Sequence, residues 1–502
     1  MTDGRRADYE PATFPVALAD FTGRFPGYTT TPDVDTLRAA DYARLDRTGQ
    51  IYLDYTGGGL YAEAQLRRHH DLLAENVYGN PHSQNPTSLA MTHLVEQARA
   101  YVLAFFNADP DEYTVVFTPN ASGALKLIGE SYPFVPGSRY ALTYDNHNSV
   151  NGIREFARAH GAAVRYIPVE LPDLRVPASG LLAVLDEADP AANNLLAFPA
   201  QSNFSGVQHP LAWVEVAHAR GWDVLLDCAA FAPTNRLDLR QVQPDFVPLS
   251  FYKMFGYPTG VGALIARRSR LAKLRRPWFA GGTITIASVQ GAGWHSLIPG
   301  EAGFEDGTVN YLNLPAVEIG LRHVAAVGID AIHARVAALT AWLLEAMHDL
   351  RHSNGAPIVQ IYGPVAPDAR GGTIAFTVRD PAGADFDFRR VEAAAAARKI
   401  SLRTGCFCNP GDGEVAHGVQ PQDMAHFFAG QAPGSFYEFY DLLHTATGKT
   451  PSTIRVSLGI ASNFADVYQF MAFLATFRDR RAAELPWAAA PTLEAVLQRD
   501  AA

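Results

Sequence analysis

The residues of this 502-residue sequence that could do chemistry together are one lysine, one strand-end carboxylate, one histidine and two cysteines a single residue apart. Lys253 lies in PDFVPLSFYKMFGYPTGVGALIARR, Pro244 to Arg268. It falls in a glycine-punctuated turn between an apolar stretch (Phe246, Val247, Leu249) and a second one, Val261 to Ala266. Burying an unpaired ammonium costs on the order of several kcal/mol. A Schiff base to an aldehyde cofactor removes that charge. The plain alternative is a surface lysine in a strand-to-strand loop. Asp227 closes the apolar run WDVLLD, where ligands bind in doubly wound sheets, and its ordinary role there is to cap the next turn. His147, in DNHNSVNGIRE, sits at a strand-to-helix junction, a place more often held by a capping or surface histidine. Gln201 and Asn203 belong to an amide-rich loop. Ala121 and Ser122 open a helix directly after VVFTPN, leaving backbone N–H groups for a phosphate. Phosphate donors, an anion for a pyridine nitrogen, a flat ring for its face and a lysine for its aldehyde are what pyridoxal phosphate requires.

Those residues need a scaffold that brings several strand ends to one edge. From about residue 115 to 265 the sequence alternates apolar strand, small-residue turn and helix, which predicts a doubly wound, mostly parallel α/β sheet with helices on both faces. The expected organisation is an N-terminal arm over 1–48, a large cofactor-binding domain over 49–335, a smaller α+β domain over 336–483 and a tail over 484–502. YTGGG, after a short strand at Ile51, predicts a tight turn with a close backbone approach. Ala62 to Tyr78 reads as a helix, and GNPHSQNPTS as a polar loop. In the small domain, Ile400 to Cys408 reads as one strand carrying Cys406 and Cys408, and Thr453 to Gly459 as another carrying Arg455.

A formal net charge of -10 and a pI near 5.9 argue against nucleic acid or an anionic membrane as the main partner. No apolar run approaches the roughly 18 residues of a membrane span. MTDGRRADYEP lacks the apolar core of a signal peptide. Cys228, Cys406 and Cys408 cannot build a disulfide framework, so a reducing, cytoplasmic setting is expected. They also lack a second ligand pair at zinc spacing, so no metal is expected. Cys228, beside Asp227, reads as packing.

Ten segments in order carry a family resemblance: YLDYTGGGLY, GNPHSQNPTS, FTPNASGALKL, DNHNSVNGIRE, FPAQSNFSGVQHPL, LLDCAAFAPTN, SFYKMFGYPTGVGALIAR, FEDGTVNYL, LRTGCFCNPG and IRVSLG. Over about residues 50–465 the chain resembles class V, cysteine desulfurase-like members of the aminotransferase fold (fold type I). It is most like the desulfurase domain of molybdenum cofactor sulfurases. The resemblance implies that Lys253 holds pyridoxal 5'-phosphate and moves the Cα proton. It implies that His147 covers the ring and serves as acid-base, that Asp227 pairs with the ring nitrogen and that Asn203 bonds its phenolic oxygen. Ala121, Ser122 and Ser250 would hold the phosphate, with Tyr252 where many desulfurases have histidine. Thr308 would reach the neighbouring subunit's phosphate, implying a homodimer, and Arg455 would grip the substrate carboxylate. Cys408 falls at the sulfur-accepting position, with Cys406 as the alternative acceptor or a resolving thiol. The implied activity is abstraction of sulfur from L-cysteine to give alanine and an enzyme persulfide, with a sulfur-acceptor protein as a possible partner. A C-S lyase, epimerase or other β-elimination enzyme is the alternative, and a non-catalytic paralogue a weaker one. The chain departs from the family at DYTGGG and at Asp412-Gly413-Glu414, where the sulfurases carry a further cysteine. Their C-terminal cofactor-binding domain finds no matching segment.

Overall fold

The computed structural model describes residues 9–29, 32–291, 293–428, 434–450 and 452–484. Seven strands form the large sheet: β1 (Tyr113–Thr118), β2 (Arg139–Thr143), β3 (Ala163–Ile167), β4 (Asn194–Pro199), β5 (Trp222–Asp227), β6 (Phe246–Ser250) and β7 (Gly262–Arg267). Their order is β1-β7-β6-β5-β4-β2-β3, and every pairing is parallel except those of β7 with β1 and β6. Alternate residues enter different cores. Leu196, Phe198, Val224 and Leu226 join one apolar cluster, while Leu195, Ala197 and Leu225 join another. A period of two with both faces buried is what a helix-covered parallel sheet imposes on its strands. Edge strand β3, whose side chains are partly exposed, lacks that signal and had not been expected from the sequence.

Four antiparallel strands form the second sheet: β8 (Val359–Tyr362), β9 (Thr373–Val378), β10 (Arg403–Gly405) and β11 (Thr453–Ser457), in the order β8-β9-β11-β10. The chain start is woven into this half. Ile51–Tyr52 pairs in parallel with Ile400–Ser401, and Asp54 bridges Ser457. Ahead of it, helix Phe14–Arg24 lays Phe21 on Phe464, ring centroids 4.4 Å apart, and edge-on to Trp342.

Several sequence expectations are corrected. The long helix, Ile329–Asp349, runs unbroken past residue 335. The chain instead turns at Gly328, φ 89°, after helix Leu314–Val327. The helix expected over Ala62 to Tyr78 spans Glu63–Ala74. Residues 1–8 of the arm, and nearly all of the 484–502 tail, lie outside the described residues. No single helix among the described residues is long and apolar enough to cross a membrane.

Candidate active site

Lys253 does not sit in an irregular turn, as its sequence context suggested, but in a five-residue helix, Phe251–Phe255, that leaves the end of β6. Its backbone is seated by the YTGGG turn. Gly59 N–H donates to Tyr252 O at 2.9 Å, and a Cβ on Gly59 would lie 2.8 Å from Lys253 O. Glycine is required there because the obstacle is main chain. Among the described residues Lys253 Nζ has no hydrogen bond or ion pair. Burial first, then the charges of Arg455 and Arg403, hold its pKa below the ordinary lysine value, against the pull of Asp227 and Cys408. An enclosed, unpartnered amine biased toward its neutral form suits an aldehyde cofactor.

The amine opens on a cavity of about 170 Å³ that gathers Ala121, Ser122, His147, Gln201, Asn203, Asp227, Ser250, Tyr252 and Lys253. The sheet explains the convergence. The carboxyl ends of β4, β5 and β6 lie along one edge, and the reversal of β7 puts Gly262 beside both Thr118 and Ser250. At Gly262 an added Cβ would fall 2.5 Å from Asn120 Cα, so only glycine lets helix Ala121–Ser131 start this close to β6. At that helix start Ala121 N–H donates to Ser250 Oγ at 2.9 Å, and the Ser122 and Ser149 hydroxyls pair at 2.6 Å. Three hydroxyls gathered at a helix N-terminus are a donor set of the kind that suits a phosphate. Ser149 is a member the sequence had not marked.

His147 and Asp227 both fulfil the ordinary role of their position while lining the cavity. His147 Nδ1 caps the next turn by accepting from Ser149 N–H at 3.0 Å, which leaves its proton on Nε2. Burial first, and then Lys253, hold its pKa below the usual histidine value. Asp227 Oδ1 accepts from Ala229 N–H at 2.9 Å. Phosphate donors, a carboxylate, a neutral imidazole and an unpartnered lysine in one cavity fit pyridoxal phosphate as a donor set.

The cysteine segment is a loop, not the strand expected through residue 408. β10 stops at Gly405, φ 112°, and Phe407 and Cys408 both take φ 54°. Four bonds hold it against the large sheet. Asn203 Nδ2 donates to Phe407 O (2.8 Å), Asn148 N–H to Cys408 O (2.7 Å), and Asn409 Nδ2 to Asp145 O (2.9 Å) and Asn203 Oδ1 (3.0 Å). Asn203 keeps one N–H beyond these bonds. Cys408 is exposed and lies within electrostatic reach of both Lys253 and Arg455. Burial raises the Cys406 thiol pKa, and raises that of wholly buried Cys228 much further.

Arg455 does not line the cavity. It donates to Asn203 O (2.9 Å) and Asp54 Oδ1 (3.1 Å), lies over the Phe407 ring at 4.7 Å, and keeps an unpartnered buried Nε. Arg403, its direct cross-strand neighbour, is half-exposed and holds the other Asp54 oxygen. Asp54 and Arg403 were missed because nothing in DYT or LRTG alone reveals that the two segments meet. Thr308 lines a different cavity, with Gly123, Lys126 and Gly260.

The family model "Aminotransferase class-V" matches residues 51–470. The chain is 35% identical over 483 residues to a molybdenum cofactor sulfurase of Solanum lycopersicum, covering 90% of this chain and 58% of that one. It is 36% identical over 474 residues to one of Homo sapiens, covering 90% and 52%. The chain thus spans little more than half the length of these curated relatives. An apo cysteine desulfurase from Thermococcus onnurineus NA1 superposes with a TM-score of 0.70 at 22% identity, covering 89% of this chain and 98% of that one. The C-S lyase C-DES, solved with its reaction product cysteine persulfide, gives 0.64 at 19%, covering 86% and 98%. These two likenesses establish the fold.

Proposed function

Because the chain belongs to the class-V aminotransferase family, we propose that it is a pyridoxal-phosphate-dependent cysteine desulfurase that takes sulfur from L-cysteine onto Cys408. The observation that carries this reading is the exposed Cys408 thiol on a loop stapled to Asn203 and Asn148, beside the cavity of the unpartnered Lys253. A scaffold that used only an amino-group exchange would have no need to fix a thiol there.

When bound, the cofactor supplies an electron sink that acidifies the Cα–H of the amino acid it holds. Asp227 would hold the proton of the ring nitrogen, and the hydroxyls of Ser122, Ser149 and Ser250 would hold the phosphate. Asn203 would offer its remaining N–H to the phenolic oxygen. Lys253 Nζ, biased toward the free amine, accepts the Cα proton, and His147 keeps a proton on Nε2 inside the cavity. Arg403 and Arg455 attract the substrate carboxylate, with Arg403 the accessible member of the pair. Cys408 Sγ attacks the substrate sulfur. The sulfur–Cβ bond breaks, its electron pair goes to Cβ, Cβ takes up a proton, Lys253 returns the proton to Cα, and alanine leaves while the persulfide stays on Cys408.

The persulfide is read as an intermediate passed to a sulfur acceptor, a reading supported by relatives named molybdenum cofactor sulfurase. The active unit is read as a homodimer, in which Thr308 serves the other subunit. A nucleophilic thiol calls for a reducing compartment, taken here as the cytoplasm.

The test is a single turnover of the yellow enzyme with L-cysteine and no reductant, scored for alanine and for one added sulfur by intact mass. Alanine with sulfur on wild type, and neither in Cys408→Ser, is the expected result. Pyruvate and free sulfide, unaffected by Cys408→Ser, would make the protein a C-S lyase. A wild type that stays colourless with added cofactor would sink both enzyme readings.

A further inference from the structure

The turn that carries Cys408 adopts a conformation its own residues disfavour. Asn409 N–H donates to Cys406 O at 2.9 Å, and both residues between them, Phe407 and Cys408, take φ 54°. Positive φ at both central positions is the mark of a type I′ turn, which asparagine and glycine favour. Any other L-residue is strained there by its Cβ. Cys408 cannot be glycine, because its sulfur is needed, but turn chemistry alone would put glycine at Phe407. Such backbone persists only where the surroundings over-determine it.

The surroundings meet at the Phe407 side chain. Its ring is buried, with the Arg455 guanidinium 4.7 Å from its centroid and the Phe204 ring at 5.5 Å. Arg455 donates to Asn203 O at 2.9 Å, and Asn203 Nδ2 donates to Phe407 O at 2.8 Å. Phe407, Arg455 and Asn203 thus close a circuit that grips both the side chain and the main chain of Phe407. A desolvated cation over a ring is the stronger form of that contact. We infer that Phe407 is a positioning residue for Cys408: its ring, clamped between Arg455 and Phe204, holds the left-handed turn that presents the thiol. Ordinary core packing does not require a ring from a residue at φ 54°. Placed there, its anchoring fixes the backbone of the very next residue. The ring also faces one of the two arginines that attract the substrate carboxylate, so loop and substrate share one guanidinium. That the loop accepts sulfur rests on the function proposed above; the clamp does not.

Asn148 supplies the readout. It is the first residue of its short helix, so its N–H has no intrahelical acceptor and bonds Cys408 O at 2.7 Å instead. Amide hydrogen exchange at Asn148 in the holoenzyme therefore reports whether the turn is in place. Phe407→Ala removes the ring and keeps the Cβ, whereas Phe407→Gly removes the ring and the strain together. Exchange should rise about tenfold or more in Phe407→Ala and fall between that rate and wild type in Phe407→Gly. Single-turnover persulfide formation should drop in the first variant and recover in part in the second, with the visible absorbance of the lysine-bound cofactor unchanged in both. A packing role alone predicts the reverse order, since glycine buries least and frees the backbone most. That reverse order, or wild-type exchange in Phe407→Ala, would overturn the inference. With the expected order of exchange, a wild type that forms no persulfide would overturn the proposed function and leave the clamp standing.

Discussion

At the scale of single residues, the site biases toward neutrality groups that are usually charged. Lys253 is the central case. Lys253→Ala should fold, bind cofactor without the visible absorbance of the lysine-linked form, and lose single-turnover formation of alanine, which a spectrum and an amino-acid assay would show. A part-buried histidine outside the cavity gives the pH dependence. His417 Nε2 meets Thr453 Oγ1 at 2.8 Å, and burial, aided by Arg379, lowers its pKa to about 4. The unfolded chain takes up that proton near 6.5 and the folded one only near 4, so stability falls as pH drops through this window. The loss should reach up to about 3 kcal/mol. Urea midpoints between pH 7 and 4 should fall in the wild type and fall less in His417→Gln, whose amide can still reach Thr453. Equal slopes would mean that His417 is not buried as a neutral ring.

At the scale of elements, turns rather than strands carry the precision. Gly59 is the clearest example, because its missing side chain faces Lys253 O at 2.8 Å, Tyr252 O at 3.0 Å and Gly256 N at 3.1 Å. Gly59→Ala must move one of two backbones, at a cost of about 1–3 kcal/mol. We expect slower cofactor capture by Lys253 with the sheet intact, read as a reduced rate of absorbance growth on adding pyridoxal phosphate. The buried central strands were legible in the sequence because their pattern is local. WDVLLD and NLLAFP match β5 and β4 residue for residue. The glycine cluster too announced a close approach, though not what it approaches. What could not be read depends on distant partners. The residues 406–408 have strand-like composition, yet their bonds to Asn203 and Asn148 give Phe407 and Cys408 left-handed backbone. The hairpin of Ile284–Ala287 and His295–Leu297 is mostly exposed and so leaves no apolar period to find.

At the scale of the whole molecule, the lysine belongs to one sheet and the cysteine loop to the edge of another, so their register needs a strut, and Asp54 is that strut. It sits in the segment whose following turn seats Lys253, and it binds Arg403 on β10 and Arg455 on β11. These arginines face each other across the strands, an arrangement that is repulsive without an anion between them. Arg455 is wholly enclosed, and burial lowers its pKa to about 10 although Asp54 pulls the other way. Asp54→Asn should therefore cost about 3–5 kcal/mol, because it strands a buried guanidinium rather than merely deleting a contact. Replacing the pair together, Asp54→Asn with Arg455→Met, should recover much of that stability, since an apolar side chain has no charge to desolvate. It should not recover sulfur transfer, because the strut between the lysine turn and the cysteine strand is still gone and Arg455, which attracts the substrate carboxylate, has gone with it. Chemical denaturation and single-turnover persulfide formation on the two variants separate these effects. If the double variant regained both stability and sulfur transfer, the two sheets would be held in register by some other contact, and Asp54 would be only a counter-ion.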